Sequence, residues 1–470
     1  MFSVRRRGAA RLAAATVVSG LVATGAIAIA GPAMADEGQQ GTGGATATLG
    51  ELTVFDTVKI AGKGEVNAGL FEMQVKPGGT LQTYCIDLYT GAKNGQEYKE
   101  VGWDQSSLHN NEDAGKIRWI LQNSYPQVND LGELAKKVGA KNLTEKTAAA
   151  ATQAAIWHFS DDVEAMPADE DAQALTKYLE EKAVNLEEPK ASLSLSPSSV
   201  AGKSGERLGP VTVNTNAASA AVSLTPGAPE GVKLVDKDGK VVTDVANGGQ
   251  VYFDIPAGAA DGSAELTVQA DTTVPIGRAF VSTKVKSQTL ILAGTSKSTV
   301  NAKASASWAK KGAIPALSAQ TNCAKGGLDI TASNEGDEGF AFELKGEKYT
   351  IAAGESKTVT VPLAEDEAYD FTITGPNGFE KTFKGVLDCK TATPGPLPSE
   401  TPSTQPSPST TAPATTTGGS TTNGGTTGGG DLAETGSSNA TPMIAGIALA
   451  LVALGGGAVF LLRKKKTAGQ

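Results

Sequence analysis

Apolar and polar residues alternate over much of the middle of the chain, and a period of two predicts half-buried β-strands. The alternation is sharpest in Leu328-Asp329-Ile330-Thr331, Tyr349-Thr350-Ile351, Thr358-Val359-Thr360-Val361 and Tyr369-Asp370-Phe371-Thr372-Ile373. Asn334-Glu335-Gly336, Ala353-Gly354 and Gly375-Pro376-Asn377-Gly378 put turn residues at the breaks. Short strands so spaced predict a small Ig-like β-sandwich over residues 312–390. Residues 190–309 repeat the pattern in Val211-Thr212-Val213, Ala221-Val222-Ser223-Leu224, Val251-Tyr252-Phe253-Asp254-Ile255 and Ala264-Glu265-Leu266-Thr267-Val268, with Lys237-Asp238-Gly239 as a candidate hairpin turn. A second Ig-like β-sandwich is expected there. No Lys and Asn stand at a spacing that identifies an intramolecular isopeptide crosslink, and none is assigned.

The pattern changes over residues 45–188. Leu52-Thr53-Val54-Phe55, Glu72-Met73-Gln74-Val75 and the run from Leu81 to Tyr89 still read as strands. Beyond them the apolar period lengthens to that of a helix. Asn111 is a candidate cap for a helix through Gly115–Leu121, ended near Pro126. Thr144 is a candidate cap for a second helix, from Glu145 to Phe159, and Asp171 to Ala183 predicts a third. The first domain is therefore mixed α/β, at the head of a chain that is mainly β and multidomain.

Both ends carry targeting patterns. Residues 1–35 begin with Arg5, Arg6, Arg7 and Arg11, continue through an apolar run from Leu12 to Ala30, and finish with Ala33-Met34-Ala35 ahead of Asp36. That order is a secretory signal peptide, with Sec and twin-arginine export both open. Residues 391–431 are almost entirely Thr, Ser, Pro and Gly, too poor in apolar surface to fold, and predict a disordered stalk. Leu432-Ala433-Glu434-Thr435-Gly436 follows, then an apolar segment at 442–462 long enough for a transmembrane helix, then a basic cytoplasmic tail at 463–470 with Arg463, Lys464, Lys465 and Lys466. This succession resembles a Gram-positive cell-wall sorting signal, in the LAxTG variant of LPxTG used by high-GC actinobacteria. The resemblance implies that a sortase cuts between Thr435 and Gly436 and joins the Thr435 carboxyl to a peptidoglycan amine. The protein is then secreted and peptidoglycan-anchored at the cell surface, and meets the membrane only transiently through the C-terminal helix. A plain single-span anchor is the alternative.

Composition narrows the chemistry. The 470 residues carry a formal charge of -9, and the cations of the leader and tail are part of that balance, so the body between them is more acidic still. Such a body offers no electrostatic footprint for nucleic acid. The two histidines, His109 and His158, and three cysteines are too few for a His-based metal centre or a Cys-ligated cluster, and neither a metal nor another cofactor is expected. Cys323 and Cys389 bracket the last sandwich and are expected to pair as a disulfide in an oxidising compartment.

Cys85 is left over. It stands in Gln82-Thr83-Tyr84-Cys85-Ile86-Asp87-Leu88-Tyr89. A second conspicuous run is Thr152-Gln153-Ala154-Ala155-Ile156-Trp157, where helical spacing sets Gln153 in one apolar stripe with Ala149, Ile156, Trp157 and Ser160. A buried glutamine must satisfy its amide or lose about 1–3 kcal/mol. Together the two runs resemble the thioester domains of Gram-positive surface adhesins, which pair a cysteine in a Tyr/Phe-Cys-Ile-Asp-like strand with a Thr-Gln-x-Ala-Ile/Val-Trp helix. The resemblance covers residues 52–188. It implies an internal thioester between Cys85 and Gln153 that reacts once with an amine on a target surface to leave an isopeptide bond. That is a single-turnover covalent binding protein, an adhesin and not an enzyme, and the sequence does not identify the target. Trp157, Tyr84 and Tyr89 are candidates to exclude water, Asp87 to bond backbone, and His109 or His158 to accept the amine proton. Two other readings stand beside it. One is a secreted enzyme with Cys85 as nucleophile and a histidine as base; the other is a non-covalent wall adhesin or spacer with an inert Cys85.

Overall fold

The computed structural model describes residues 43–392. The signal peptide, nearly all of the stalk, the sorting motif, the apolar segment at 442–462 and the basic tail lie outside the described residues. Among the described residues no helix is long and apolar enough to cross a membrane.

Strands β1 (Thr46–Ile60) and β2 (Gly64–Val75) form a long antiparallel hairpin. Strand β3 (Thr80–Cys85) adds to β2, and β4 (Glu97–Val101) adds to the start of β1. Between β3 and β4 the sheet would stand open. A hairpin from far along the chain fills the gap: Leu290–Thr295 pairs with β3, Ala279–Ser282 pairs with β4, and the two pair with each other. Because β1 and β2 also pair, the six strands run in a ring and leave no free edge between them. Strand β5 (Ala165–Pro167) extends the far end of β1.

This hairpin corrects the expected division at residues 190–309, which is not one self-contained sandwich. Leu290, Ile291, Leu292 and Ala293 are all fully buried, so the strand needs cover on both faces. The slot between β3 and β4 supplies it, with helices outside and a barrel core within. At a bulge in this strand Gly294 passes so close to β3 that a Cβ there would stand 2.5 Å from Gln82 Oε1.

Helices α1 (Ala114–Asn123), α2 (Leu131–Val138), α3 (Glu145–Asp161) and α4 (Glu170–Lys182) follow β4. Helix α3 starts at the expected Thr144, in a reciprocal capping box with Thr147. Helix α1 differs from expectation, because its N-cap is Asp113; Asn111 instead accepts the Asp113 N–H at 2.8 Å and shapes the turn ahead of the helix. Helix α2 was not expected from the periodicity. Asp130 caps it by accepting the Glu133 N–H, and Gly139, at φ 73°, ends it in the left-handed conformation. Helix α3 is buried around its whole circumference over Ala148–Trp157, where its small alanines let β1, β2, β3, α1 and α4 pack closely.

The rest of residues 190–309 forms two sheets over one core. One has the order Lys233–Val235, Gly249–Asp254, Arg207–Thr215, Leu193–Ser196; the other has Asp244–Val245, Ala220–Leu224, Gly262–Thr272, Ser298–Ala309, Ser199–Lys203. Val211, Phe253, Leu266 and Val268 lie in the core between them. Residues 315–386 form a three-stranded sheet (Pro315–Asn322, Gly327–Asn334, Ser356–Pro362) and two hairpins, Phe340–Leu344 with Glu347–Ile351 and Ala368–Thr374 with Glu380–Val386. The Cys323–Cys389 disulfide is present and ties the end of this domain to the turn after its first strand.

A buried ion pair pins the inserted hairpin. Glu100 of β4 is fully buried and accepts from Arg278 Nε at 3.0 Å, the Ala45 N–H at 3.0 Å and the Ser192 N–H at 2.9 Å. Arg278 also donates to Glu188 at 2.6 Å and to the Pro189 carbonyl. Removing one partner of such a pair leaves a charge in a place built for two. Arg278→Ala is therefore expected to destabilise the fold by about 3–5 kcal/mol. Denaturant unfolding would measure this, with Arg278→Met/Glu100→Gln recovering much of the loss.

Candidate functional site

Cys85 is the last residue of β3. The expected strand up to Tyr89 stops there, and Asp87 falls in the turn that follows. Neighbouring residues of the strand serve different cores. Leu81 and Cys85 join the barrel core that also holds Trp157, whereas Tyr84 joins the core under the helices and donates its hydroxyl to the Tyr125 carbonyl at 2.8 Å. Of the three aromatic wall candidates, Trp157 thus shares the cysteine's surroundings and Tyr84 does not. Tyr89 lies half-buried beneath the Lys63 ammonium, 4.8 Å from its ring centre.

Gln153 sits fully buried in the middle of α3, and its carboxamide meets the backbone of Cys85 at both ends. Its Oε1 accepts the Cys85 N–H at 2.9 Å, and its Nε2 donates to the Cys85 carbonyl at 2.9 Å. The reason lies in the sheet. Strand β2 pairs with β3 only as far as Thr83, so the next backbone groups lose their strand neighbour, and the glutamine amide replaces it. Gln153 was expected to be the acyl partner of Cys85, and the structure places it against the cysteine's backbone. Its amide completes a ladder and is not the group that faces the sulfur.

The group that faces the sulfur is Gln288. Cys85 Sγ lies 2.7 Å from Gln288 Oε1, the spacing of a hydroxyl-to-oxygen hydrogen bond although sulfur is the larger atom. Gln288 Nε2 donates to the Asp87 carbonyl, which fixes the other end of the carboxamide. Backbone contacts hold the residue in register. Leu290 is the ladder partner of Cys85, Ile86 N–H donates to the Thr289 carbonyl at 3.2 Å, and the Tyr98 hydroxyl donates to the Gln288 carbonyl at 3.0 Å. Cys85 and Gln288 are each only 5% exposed. Sequence reasoning missed Gln288 because nothing near it marks it. The one local sign is a polar stretch, Lys286-Ser287-Gln288-Thr289, leading straight into a continuous apolar run.

The surroundings are hostile to a thiolate. Burial pushes the Cys85 thiol well up, and the carboxylates of Asp161 and Asp87 push it further. Burial also raises Asp161, to about 6, against the lowering effect of its bonds from the Ser160 hydroxyl and the Leu88 N–H. A cysteine nucleophile of a turnover enzyme needs the opposite setting. His109 pairs through Nε2 with Asn110, and His158 packs edge-on against Phe159; the polar partner at the sulfur is Gln288. Asp87 Oδ1 accepts a backbone N–H, from Ala392 at 3.1 Å. Among the described residues no group of three or more His, Cys, Asp or Glu side chains is arranged to hold a metal ion.

Two family models match parts of the chain. A family model described as "Thioester domain" matches residues 82–185, a stretch that contains Cys85 and Gln153 and ends before Gln288. A second, "Bacterial phospholipase C, C-terminal domain", matches residues 315–386. No curated protein matches the chain. Similar solved structures include the Bacillus anthracis TIE protein, at 14% identity over 74% of this chain and 81% of that one, with a TM-score of 0.26. The thioester domain of the Enterococcus faecium TIE86 protein is 18% identical over 57% of this chain and 97% of that one, also with a TM-score of 0.26.

If Gln153 serves as a ladder group, Gln153→Ala leaves a buried N–H and a buried carbonyl unpaired. A loss of about 1–3 kcal/mol for each group is expected, measured by denaturant unfolding, with faster hydrogen exchange at the Cys85 amide.

Proposed function

We propose that Cys85 and Gln288 condense into an internal thioester, and that the chain is a cell-surface adhesin that uses it to bond covalently to an amine on its target. The observation that carries this reading is the 2.7 Å approach of Cys85 Sγ to Gln288 Oε1 inside a buried pocket. The thiol adds to the side-chain carbonyl, its proton leaves with the amide nitrogen as ammonia, and a C–S bond replaces a C–N bond. An incoming primary amine then attacks the same carbon. The C–S bond breaks, a C–N bond forms, and the proton from nitrogen passes to sulfur. The products are an isopeptide and a free Cys85 thiol.

The raised thiol supports this reading over the enzyme alternative. A group that resists ionisation is poor as a standing nucleophile, whereas as part of an acyl thioester it needs no charge until it leaves. Stored activation lies in the acyl carbon, and burial protects it from water until a partner arrives. Once the isopeptide forms, the bond escapes the ceiling on non-covalent affinity. The protein acts once and does not turn over. On this reading the LAxTG pattern at 432–436 hands the other end to a sortase and to peptidoglycan, the two β-domains are Ig-like spacers, and residues 391–431 are the stalk through the wall.

Intact mass of the purified mature chain tests the proposal. A mass lower by one ammonia is expected, with Cys85 resistant to alkylation until methylamine is added. The loss disappears in Cys85→Ala and in Gln288→Ala and persists in Gln153→Ala. A loss that persists in Gln288→Ala and disappears in Gln153→Ala would return the acyl role to the helix.

A further inference from the structure

The thioester pocket is covered by a part of the chain that the reaction does not use. Asp388, at the end of the domain that starts at Pro315 and is closed by the Cys323–Cys389 disulfide (the third domain), is 7% exposed, and its Oδ2 accepts from the Thr289 hydroxyl, next to Gln288, at 2.7 Å. Four residues on, the Ala392 N–H donates to Asp87, whose carbonyl in turn holds Gln288 Nε2. Lys286 of the hairpin loop pairs with Asp366 of the third domain. The turn at Cys323–Lys325 also packs against the turn at Trp103–Gln105 of the first domain. The covering segment is itself held from below: Cys389 is disulfide-bonded to Cys323, and the Cys389 and Lys390 N–H groups both donate to Glu365.

We infer that the third domain is a lid on the thioester: Asp388–Ala392 lies against both walls of the Cys85–Gln288 pocket, and an amine reaches the acyl carbon only when this segment lifts. The inference rests on the thioester reading above. It accounts for a feature that reading leaves open, namely how a surface amine meets a carbon in a residue only 5% exposed.

The contact is also built to respond to pH. Asp388 faces Asp87 from the β3 turn, Tyr98 from β4, Lys286 from the hairpin loop, and Glu365 and Asp366 from its own domain. Burial raises its carboxyl to about 7, the Thr289 bond opposes the rise, and the charges of Asp87, Glu365 and Asp366 add to it. A carboxyl that binds its proton more tightly when docked favours docking in acid. That advantage fades as pH rises from the ordinary carboxylate range through about 7. The lid is thus held hardest in acid and released toward neutral and alkaline pH.

The test is the rate of methylamine-driven exposure of Cys85 to alkylation, per free amine, in the mature chain. Asp388→Asn carries the charge of the protonated form and keeps the lid shut. The ratio of wild-type to Asp388→Asn rates is therefore expected to climb by about tenfold or more between about pH 5 and about pH 8, the window between the ordinary carboxylate range and the docked value lying largely within it. The double variant Cys323→Ser/Cys389→Ser frees the segment and is expected to react about tenfold or more faster than wild type at the acid end. A ratio that stays flat across pH, or a double variant no faster than wild type in acid, overturns the lid. Intact mass is read first in every sample. Absence of the ammonia loss overturns the thioester itself, and its presence with unchanged rates overturns only the lid.

Discussion

The proposed chemistry depends on one strand pairing, the insertion of Leu290–Thr295 beside β3. Until that strand arrives the barrel has a gap and Cys85 has no carboxamide at its sulfur. Once it is seated, the ladder sets Leu290 opposite Cys85 and brings Gln288 to the thiol. The four fully buried apolar residues that begin the strand drive the insertion, at about 25 cal/mol per Å² of apolar surface removed from water. The polar pair comes along as a passenger. Reactive geometry is in this sense a by-product of hydrophobic closure, and the Arg278–Glu100 pair locks the register from the other side of the hairpin. A chain cut before the hairpin would lack two strands of its barrel and the carboxamide together.

Two glutamines meet one cysteine, and their bonding separates their work. Gln153 presents its amide to the backbone of Cys85, as a neighbouring strand would, and so makes the cysteine's position rigid. Gln288 presents its amide to the sulfur, and its nitrogen is held by the Asp87 carbonyl. A carboxamide already engaged at both ends by the backbone of one residue is badly placed for attack by the side chain of that same residue. A carboxamide fixed at nitrogen with its oxygen at the sulfur already stands in the reacting geometry. On the proposed reading one amide positions and the other reacts, a division that residue type alone does not reveal.

Much of this was legible in the sequence, and the failures have physical causes. Strands in the two distal β-domains announced themselves by alternation, since each has one wet and one dry face. Helix α3 was legible from its Thr144 cap and its alanine-rich run, and Cys85 from being the cysteine left over. The short α2 escaped because two helical turns carry too little periodicity to detect. Gln288 escaped for a different reason. Its partnership with Cys85 is a contact between residues far apart in the chain, created by a strand that leaves its own sequence neighbourhood. The run Leu290-Ile291-Leu292-Ala293 did hint at burial on both faces. A strand in a two-layer sandwich shows one apolar face, so an unbroken apolar run inside such a domain is a reason to look for a second sheet.

The same burial that makes the site also explains why it needs a moving part. An acyl thioester survives in water only if water is kept away, and the two side chains proposed to form one, Cys85 and Gln288, are almost wholly enclosed. Enclosure sufficient against water is enclosure against an amine on a protein, which is far larger. A fixed pocket could be durable or reactive toward a bulky partner, but not both. The conflict is resolved if part of the wall comes from a domain whose attachment is polar and local, while the rest comes from a continuous apolar core. The contacts from Asp388, Ala392 and Asp366 are of the first kind, and the strands around Cys85 are of the second. Elements held by a few hydrogen bonds open at lower free energy than elements held by a core. On the proposed reading the acyl carbon is therefore exposed by undocking alone, with the barrel and the β3 ladder left intact.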